Sequence, residues 1–242
     1  MSPNPPAFVL HLREHGYHPR SDKHSNALAE AIVHDLLHAC PAIAAQARDG
    51  ALVYDLNFTI TAGTSDWNVD LVLGAPPPGT PPPEAGAPIR RTLPSTVHAA
   101  IEIKSVMTEH RKAVKNRKRD LEAHHEHIHN YSNQAIAGGV LVLNAADTFR
   151  SPLRAAPTVH RRVPALIEHC LLQARSITTR SSLHAQGLDA NCVIVIDMDN
   201  QDLPGTRYAT GSPAPPVGDP LHYDAFIQKL CSLYRERFAA HA

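Results

Sequence analysis

Two runs of almost purely apolar residues constrain the fold of this chain more than any other feature. The segments are "AGGVLVLN" (137–144) and "NCVIVIDMD" (191–199), and in the second the apolar residues are continuous over 192–196. Continuous apolar runs of this length are typical of strands that are buried on both faces of a sheet. They therefore predict two central strands in a sheet that helices cover on both sides.

Helical and strand patterns alternate along the rest of the chain. Ser25 is the predicted N-cap of the first helix, Pro41 ends or divides that helix, and Gly63 and Ser65 form a turn between two strands. The segment 98–144 reads as strand, helix and strand, which predicts a right-handed parallel unit. The fold class is therefore α/β, with a mixed central β-sheet flanked by helices on both faces. Helices are predicted within 22–48, 108–131, 162–179 and the closing segment from residue 220, and further strands at 51–60, 67–74 and 98–106.

Length and composition predict one domain. The 242 residues, of which 43% are apolar, are typical of a globular chain with a single core, placed at about 25–200. Two proline-rich stretches, 74–95 and 203–220, cannot form regular structure and are predicted loop insertions. The sequence has no apolar run of membrane-spanning length and no signal-peptide pattern, so we expect no membrane partner and a cytoplasmic location.

The cysteines and the charges give two further expectations. The four cysteines are scattered, without a C-x-x-C pair, which favours reduced and mostly buried thiols over disulfides: Cys40, Cys170, Cys192 and Cys231. The formal net charge is zero, which argues against a globally basic nucleic-acid binder. The segment "HRKAVKNRKR" (110–119) nevertheless carries six Lys or Arg and no acid. Taken alone, this run favours an ordinary solvated helix face, with one surface that faces a polyanion as the alternative.

Three ionisable residues stand on predicted strands. Asp70 lies between Val69 and Leu71, and the segment "IEIK" carries Glu102 and Lys104. Residues i and i+2 of a strand point to the same face, so Glu102 and Lys104 emerge together. Charged groups on strands that otherwise form core are costly unless they pair or hold a metal ion. If the two strands are neighbours, the three groups converge at one edge of the sheet.

This set of groups suits phosphodiester hydrolysis. Two carboxylates with open positions around them suit Mg²⁺, which prefers few protein ligands and several waters. The lysine is cationic and cannot be a ligand, but it can position or deprotonate the attacking water or balance charge on the pentacovalent phosphorus. A buried salt bridge without catalysis is the alternative interpretation.

In this chain Asp70 is followed by 31 residues and then by Glu102, Ile103 and Lys104. This pattern resembles the motif of the PD-(D/E)xK nuclease superfamily, which includes most type II restriction endonucleases. The resemblance covers roughly residues 25–145, and Val69 replaces the usual proline before the aspartate. It implies a restriction-endonuclease-like core.

The resemblance also implies a metal site. Mg²⁺, with Mn²⁺ as a substitute, would be held by Asp70, Glu102 and the backbone carbonyl of Ile103, and Lys104 would complete the catalytic set. In many members of the superfamily an acidic residue on the first helix completes the site, and Glu30 is the candidate for that position here.

The function that follows from the resemblance is a Mg²⁺-dependent DNA endonuclease. The favoured version is a type II restriction endonuclease that cuts double-stranded DNA as a homodimer or higher homo-oligomer. The alternative is a low-specificity effector nuclease of an anti-phage defence system, and a non-catalytic nucleic-acid-binding module is a third class. The predicted DNA contacts lie on the basic helix: Arg111, Lys112, Lys115, Lys118 and Arg119. Just after it, loop hydrogen bonding is the favoured role of Asn133 and Gln134, with a DNA contact by Gln134 as the alternative.

A zinc peptidase is the competing interpretation. His125, Glu126 and His129 match H-E-x-x-H, the helix signature of zinc peptidases. The flanking sequence lacks the Gly and His that follow this motif in metzincins, and the first downstream glutamate, Glu168, lies in a helix that reads as packing. The histidines of "HHEHIH" are therefore expected to face solvent, the phosphate backbone or a neighbouring subunit.

Overall fold

The computed structural model describes residues 4–62 and 65–239. The strands are β1 (Val53–Ala62), β2 (Ser65–Ala75), β3 (Arg90–Arg91), β4 (Thr96–Val106), β5 (Ile136–Asn144), β6 (Thr148–Phe149), β7 (Thr158–Val159), β8 (Ala190–Asp197) and β9 (Arg207–Tyr208). Seven of them form the central sheet, in the order β3-β1-β2-β4-β5-β8-β9, and β6 pairs with β7 in a separate hairpin. The helices are α1 (Asn4–His15), α2 (Lys23–Ala39), α3 (Pro41–Arg48), α4 (His110–Tyr131), α5 (Val163–Arg175) and α6 (Tyr223–Tyr234), with a short π-helical turn at Arg235–Ala239 and a 3₁₀ turn at Leu203–Gly205.

The sheet is antiparallel on one side and parallel on the other. Strands β1, β2 and β4 form an antiparallel meander, whereas β4, β5 and β8 are parallel neighbours. The unit β4-α4-β5 is parallel, as the segment 98–144 predicted. The predicted α/β class, with a mixed central sheet flanked by helices, is confirmed. Gly63 lies outside the described residues, and Ser65 is the first residue of β2 rather than a turn residue.

The middle of the sheet lies under helices on both faces. Every residue of β5 is buried, and two adjacent glycines let helices approach it closely. A Cβ on Gly138 would lie 3.4 Å from Phe226 of α6, and one on Gly139 would lie 3.2 Å from Leu121 of α4. One face packs against α1, α2 and α6, and the other against α4 and α5.

Pro41 divides the first predicted helix into α2 and α3, but the expected N-cap is wrong. The helix begins at Lys23 after Asp22, and the hydroxyl of Ser25 instead donates to the Asp22 carbonyl at 2.9 Å. Among the described residues no single helix is both long and apolar enough to cross a membrane; α2 and α3 reach that length and hydropathy only as a pair bent by 104°.

The prediction of four reduced thiols is wrong for two of the cysteines. Cys40, at the end of α2, forms a disulfide with Cys231 of α6, with the Cα atoms 5.4 Å apart and 191 residues between them in sequence. Sequence spacing does not reveal this pairing, because only the packing of α6 against α2 brings the two residues together. Cys170 and Cys192 are free and buried, as expected.

Candidate active site

Asp70 lies where β2 and β4 separate. The pairing of these strands runs as far as Leu71 opposite Ile101. One residue further on, Asp70 Oδ2 accepts a hydrogen bond from the backbone N–H of Ile103 at 2.7 Å, so the carboxylate takes the place of a backbone partner. Burial raises the pKa of Asp70, against the opposing effects of this hydrogen bond and of the Lys104 charge.

The Ile103 backbone is oriented toward the same opening. The N–H and C=O groups of one strand residue point to the same neighbouring strand. Because the Ile103 N–H meets Asp70 of β2, the Ile103 carbonyl is directed to that side as well. This orientation is the one that a backbone metal ligand beside Asp70 requires.

Glu102 and Lys104 emerge on one face of β4, as the i, i+2 rule predicted. Lys104 Nζ pairs with Glu102 Oε1, and the two side chains are 23% and 3% exposed respectively. The second oxygen, Glu102 Oε2, is buried and has no hydrogen-bond partner among the described residues. Burial raises the pKa of Glu102 to about 7 against the opposing charge of Lys104, and the negative charge of Asp70 adds to the rise. Asp70, Glu102 and Lys104 are therefore close enough to interact electrostatically.

His124 of α4 covers the free oxygen of Glu102. The ring is fully buried, and its Nε2 lies 3.2 Å from the Ala100 carbonyl. A carbonyl only accepts, so Nε2 carries the proton and Nδ1 presents a lone pair. Nδ1 lies 3.9 Å from Glu102 Oε2, and neither atom has a hydrogen-bond partner in the part of the chain that the structure describes. The expectation that the histidines of "HHEHIH" face outward is wrong for His124 and for His125, which is 5% exposed.

Two further carboxylates act on the site, and the sequence did not single out either of them. Burial is the largest cause of the raised pKa of Asp70 and of Glu102. The negative charge of Asp22 makes a smaller contribution to the rise at Asp70, and that of Asp120 makes a smaller contribution at Glu102. Asp22 stands before α2 and accepts a hydrogen bond from Asn57 at 3.1 Å. Asp120 pairs with Arg117 on α4 at 2.9 Å.

Glu30 is not brought to this site. Its carboxylate lies 3.8 Å from Arg91, at the far edge of the β1 side of the sheet, and is half exposed. Glu30 follows Asp22 by eight residues, which is about 12 Å along a helix axis. The start of α2, rather than its middle, therefore lies near Asp70.

Most of the predicted DNA contacts are free at the surface. Four of the basic residues of α4 are exposed: Arg111, Lys112, Lys115 and Arg119. Lys118 is only partly exposed, because it bonds to Ser176 at 2.9 Å and pairs with Glu122 at 3.5 Å. Gln134 is exposed. Asn133 holds Arg180 through its carbonyl and its side-chain oxygen, which is the loop role favoured for it.

The donors of the site fit a hard divalent cation. Within residues 4–62 and 65–239 no three His, Cys, Asp or Glu side chains are grouped around one metal position. Mg²⁺ does not need such a cage, since one or two carboxylates and several waters suffice. Asp70, the unpartnered Glu102 Oε2 and the Ile103 carbonyl supply hard oxygens of this kind.

Within the described residues the H-E-x-x-H segment does not form a complete zinc-peptidase site, because no third His, Cys, Asp or Glu joins His125 and His129 around one metal position. His129 Nε2, a ring nitrogen that could bind zinc, lies instead 3.1 Å from Asp189 Oδ2. Glu126 is exposed on the helix surface. No protein-family model, curated protein or solved structure matches the chain.

Proposed function

We propose that this protein is a Mg²⁺-dependent DNA endonuclease of the PD-(D/E)xK type. One observation carries the proposal: Asp70, Glu102 and Lys104 gather where β2 and β4 separate, and one oxygen of Glu102 is left unpartnered there. A structural ion pair would satisfy its buried oxygens, because each unpaired buried acceptor costs roughly 1–3 kcal/mol. An unsatisfied carboxylate beside a second carboxylate and a lysine is instead typical of a site that awaits a cation.

Each residue has a role in this mechanism. Asp70, Glu102 and the Ile103 carbonyl would hold Mg²⁺, which supplies Lewis-acid stabilisation of the phosphate oxygens. Lys104 is 23% exposed, so its ammonium reaches solvent as well as Glu102. Its role is to orient the attacking water and to stabilise the negative charge that develops on phosphorus. His124, behind Glu102, limits the directions in which that carboxylate can turn.

The basic surface of α4 extends the site toward the substrate. The exposed residues Arg111, Lys112, Lys115 and Arg119 would contact phosphates of double-stranded DNA without reading sequence. We favour a type II restriction endonuclease that acts in the cytoplasm as a homodimer, because cutting both strands takes two sites related by a two-fold axis. A low-specificity effector nuclease uses the same residues and differs only in how DNA is selected.

A cleavage assay tests the proposal. Plasmid and phage DNA are incubated with the full chain in Mg²⁺, in Mn²⁺ and in EDTA. We expect metal-dependent cleavage that is lost in Asp70→Asn and Lys104→Ala. The matched control is Asp197→Asn, since Asp197 is an ion-paired strand carboxylate at the other side of the sheet, and this variant should cut like the wild type.

The products identify the setting. Discrete bands indicate a restriction endonuclease, and a smear indicates an effector of low specificity. DNA that stays intact under all metal conditions, or cleavage that survives in both Asp70→Asn and Lys104→Ala, would refute the proposal. DNA binding without cleavage would indicate the non-catalytic binding module.

A further inference from the structure

A polar cavity of about 530 Å³ lies between the C-terminal part of α4 and the loop that precedes β8. Three of its lining residues are histidines, namely His125, His129 and His184, and Glu126 adds a carboxylate. The remaining polar lining consists of side-chain amides. The cavity is thus rich in lone pairs, and it is built on the part of α4 that the nuclease proposal does not use.

His125 has no partner other than what the cavity holds. The residue is 5% exposed, yet no hydrogen bond to it exists among the described residues. The ring nitrogens of His125 are not sealed from solvent. Because the ring lines the cavity, solvent reaches these nitrogens through the cavity. The ring nitrogens of His125 are therefore open to a ligand inside the cavity.

His129 is held in the state that a metal ligand needs. Its Nε2 lies 3.1 Å from Asp189 Oδ2, and Asp189 also accepts from Arg237 and from the Ala137 N–H. Nε2 therefore carries the proton, and Nδ1 presents its lone pair. Histidines that bind metal ions almost always donate their other N–H to a carboxylate or carbonyl in this way.

The spacing of the two rings fits one ion. His125 and His129 are separated by one helical turn, with ring centres 5.9 Å apart and planes tilted by 38°. Two imidazoles bound to one ion through bonds of about 2.1 Å have ring centres roughly 5–6 Å apart. The separation of the two ring centres therefore falls within the range for one shared ion.

We propose that His125 and His129 bind a divalent transition-metal ion of the Zn²⁺ class in this cavity. Imidazole nitrogens select Zn²⁺, Ni²⁺, Cu²⁺ or Co²⁺ over Mg²⁺ and Ca²⁺, which makes the site distinct from the oxygen site at Asp70 and Glu102. Because no three candidate ligands surround one point within the described residues, water completes the coordination, and His184 adds a further imidazole to the cavity lining. The inference does not rest on the proposed nuclease function.

Metal titration of the full chain tests the inference. Zn²⁺ binding is followed by calorimetry, and Co²⁺ binding by its visible absorption, in buffer without Mg²⁺. We expect one site per chain, at least tenfold weaker in His125→Ala and in His129→Ala. Imidazole ¹⁵N spectra should show the metal-induced shift at Nδ1 of His129, with Nε2 still protonated.

Two matched controls separate this site from adventitious binding by a chain with 17 histidines. His127→Ala removes a histidine of the same helix that stacks on Trp67, and His15→Ala breaks a second pair of the same spacing, His11 and His15. Both should bind the ion within twofold of the wild type. His125 has no hydrogen bond to lose, so His125→Ala should fold normally by circular dichroism. The inference fails if no ion binds, if folded His125→Ala binds as well as the wild type, or if affinity follows His15.

Discussion

Two buried carboxylates of this protein, Glu102 and Asp189, have opposite surroundings. Asp189 accepts hydrogen bonds from His129, Arg237 and the Ala137 N–H, and Arg180 lies within 3.8 Å. Burial alone would raise its pKa, but these partners outweigh burial and lower the pKa to about 2. Glu102 has one cationic partner and one bare oxygen, and burial raises its pKa to about 7.

The difference separates a structural ion pair from a candidate reactive site. Asp189 joins α4, the loop before β8 and the π-helical turn through groups that are already satisfied. Glu102 is buried to a similar extent, but its surroundings leave it partly unsatisfied. A buried carboxylate that lacks a hydrogen-bond partner is costly, and such groups are found mainly where function requires them. We therefore expect substitutions at Asp189 to lower stability, and substitutions at Glu102 to abolish activity without lowering stability.

The largest expected effect is the loss of activity in Glu102→Gln. The amide keeps the shape of the side chain but removes the charge that would hold Mg²⁺, so DNA cleavage should fall by about 10³-fold or more. The measurement is single-turnover cleavage of plasmid DNA in saturating Mg²⁺. An active variant with an intact fold would place the chemistry elsewhere.

A loss of stability should follow from Asp189→Asn. This change leaves the buried guanidinium of Arg237 without its countercharge, and breaking one side of a buried pair costs about 3–5 kcal/mol. Urea denaturation followed by circular dichroism gives the free energy of unfolding. Arg207→Ala, which breaks the exposed pair with Asp197, is the control and should cost less than about 1 kcal/mol. A neutral Asp189→Asn would remove the contrast between the two carboxylates.

The two carboxylates should also give opposite pH dependence of stability. The pKa of Glu102 is about 7 in the folded chain against 4.5 for the free group. The folded state therefore holds the extra proton between these values, and stability falls as the pH rises through this window. Glu102→Gln should match the wild type near pH 4.5 and exceed it by on the order of 3 kcal/mol at pH 8 in metal-free buffer.

Asp189 contributes in the other direction. Its pKa is about 2 in the folded chain against 3.8 for the free group, so its contribution is complete above 3.8 and is lost as the pH falls toward 2. Urea denaturation at several pH values measures both slopes. Equal stability of Glu102→Gln and the wild type at pH 8 would contradict the raised pKa of Glu102.

The smallest expected effects concern the exposed face of α4. Lys115→Ala and Arg119→Ala should each weaken DNA binding about equally for all sequences and reduce the slope of log affinity against log salt by about one. Fluorescence anisotropy in EDTA, over roughly 50–200 mM salt, measures this slope. Lys118→Ala is the matched control on the same helix, because Lys118 is already bonded to Ser176 and Glu122. If all three variants weakened DNA binding equally, the position of a basic residue on α4 would not determine its contribution to DNA binding.

The long strands of the sheet could be predicted because each one is indicated by the pattern of apolar residues within its own segment. The apolar runs at 137–144 and 191–199 became the buried strands β5 and β8, since a strand covered on both faces leaves no polar position. Helix α1 was not predicted from the sequence; its first turn contains Pro5 and Pro6, and proline is well tolerated at that position of a helix. The disulfide was missed because it depends on the packing of α6 against α2.

The candidate site was predictable only in part. The period of two along a strand places Glu102 and Lys104 together, and Asp70 joined them because the strands are neighbours. The positions of Glu30 and His124 depend on where a helix axis crosses the sheet and on how the helix is turned about it. Helix α4 is polar nearly all round, so periodicity did not reveal that His124 faces the sheet.

The disulfide between Cys40 and Cys231 has a mechanical consequence. The covalent loop that it closes contains Asp70, Glu102, Lys104 and Asp189. A pulling force on the two ends of the oxidised chain would pass through the sulfur atoms and leave the residues between them unloaded. Under tension, or during threading into an unfolding machine, α1 and α2 would be extended first, whereas the residues between Cys40 and Cys231 could not be pulled out until the bond is reduced.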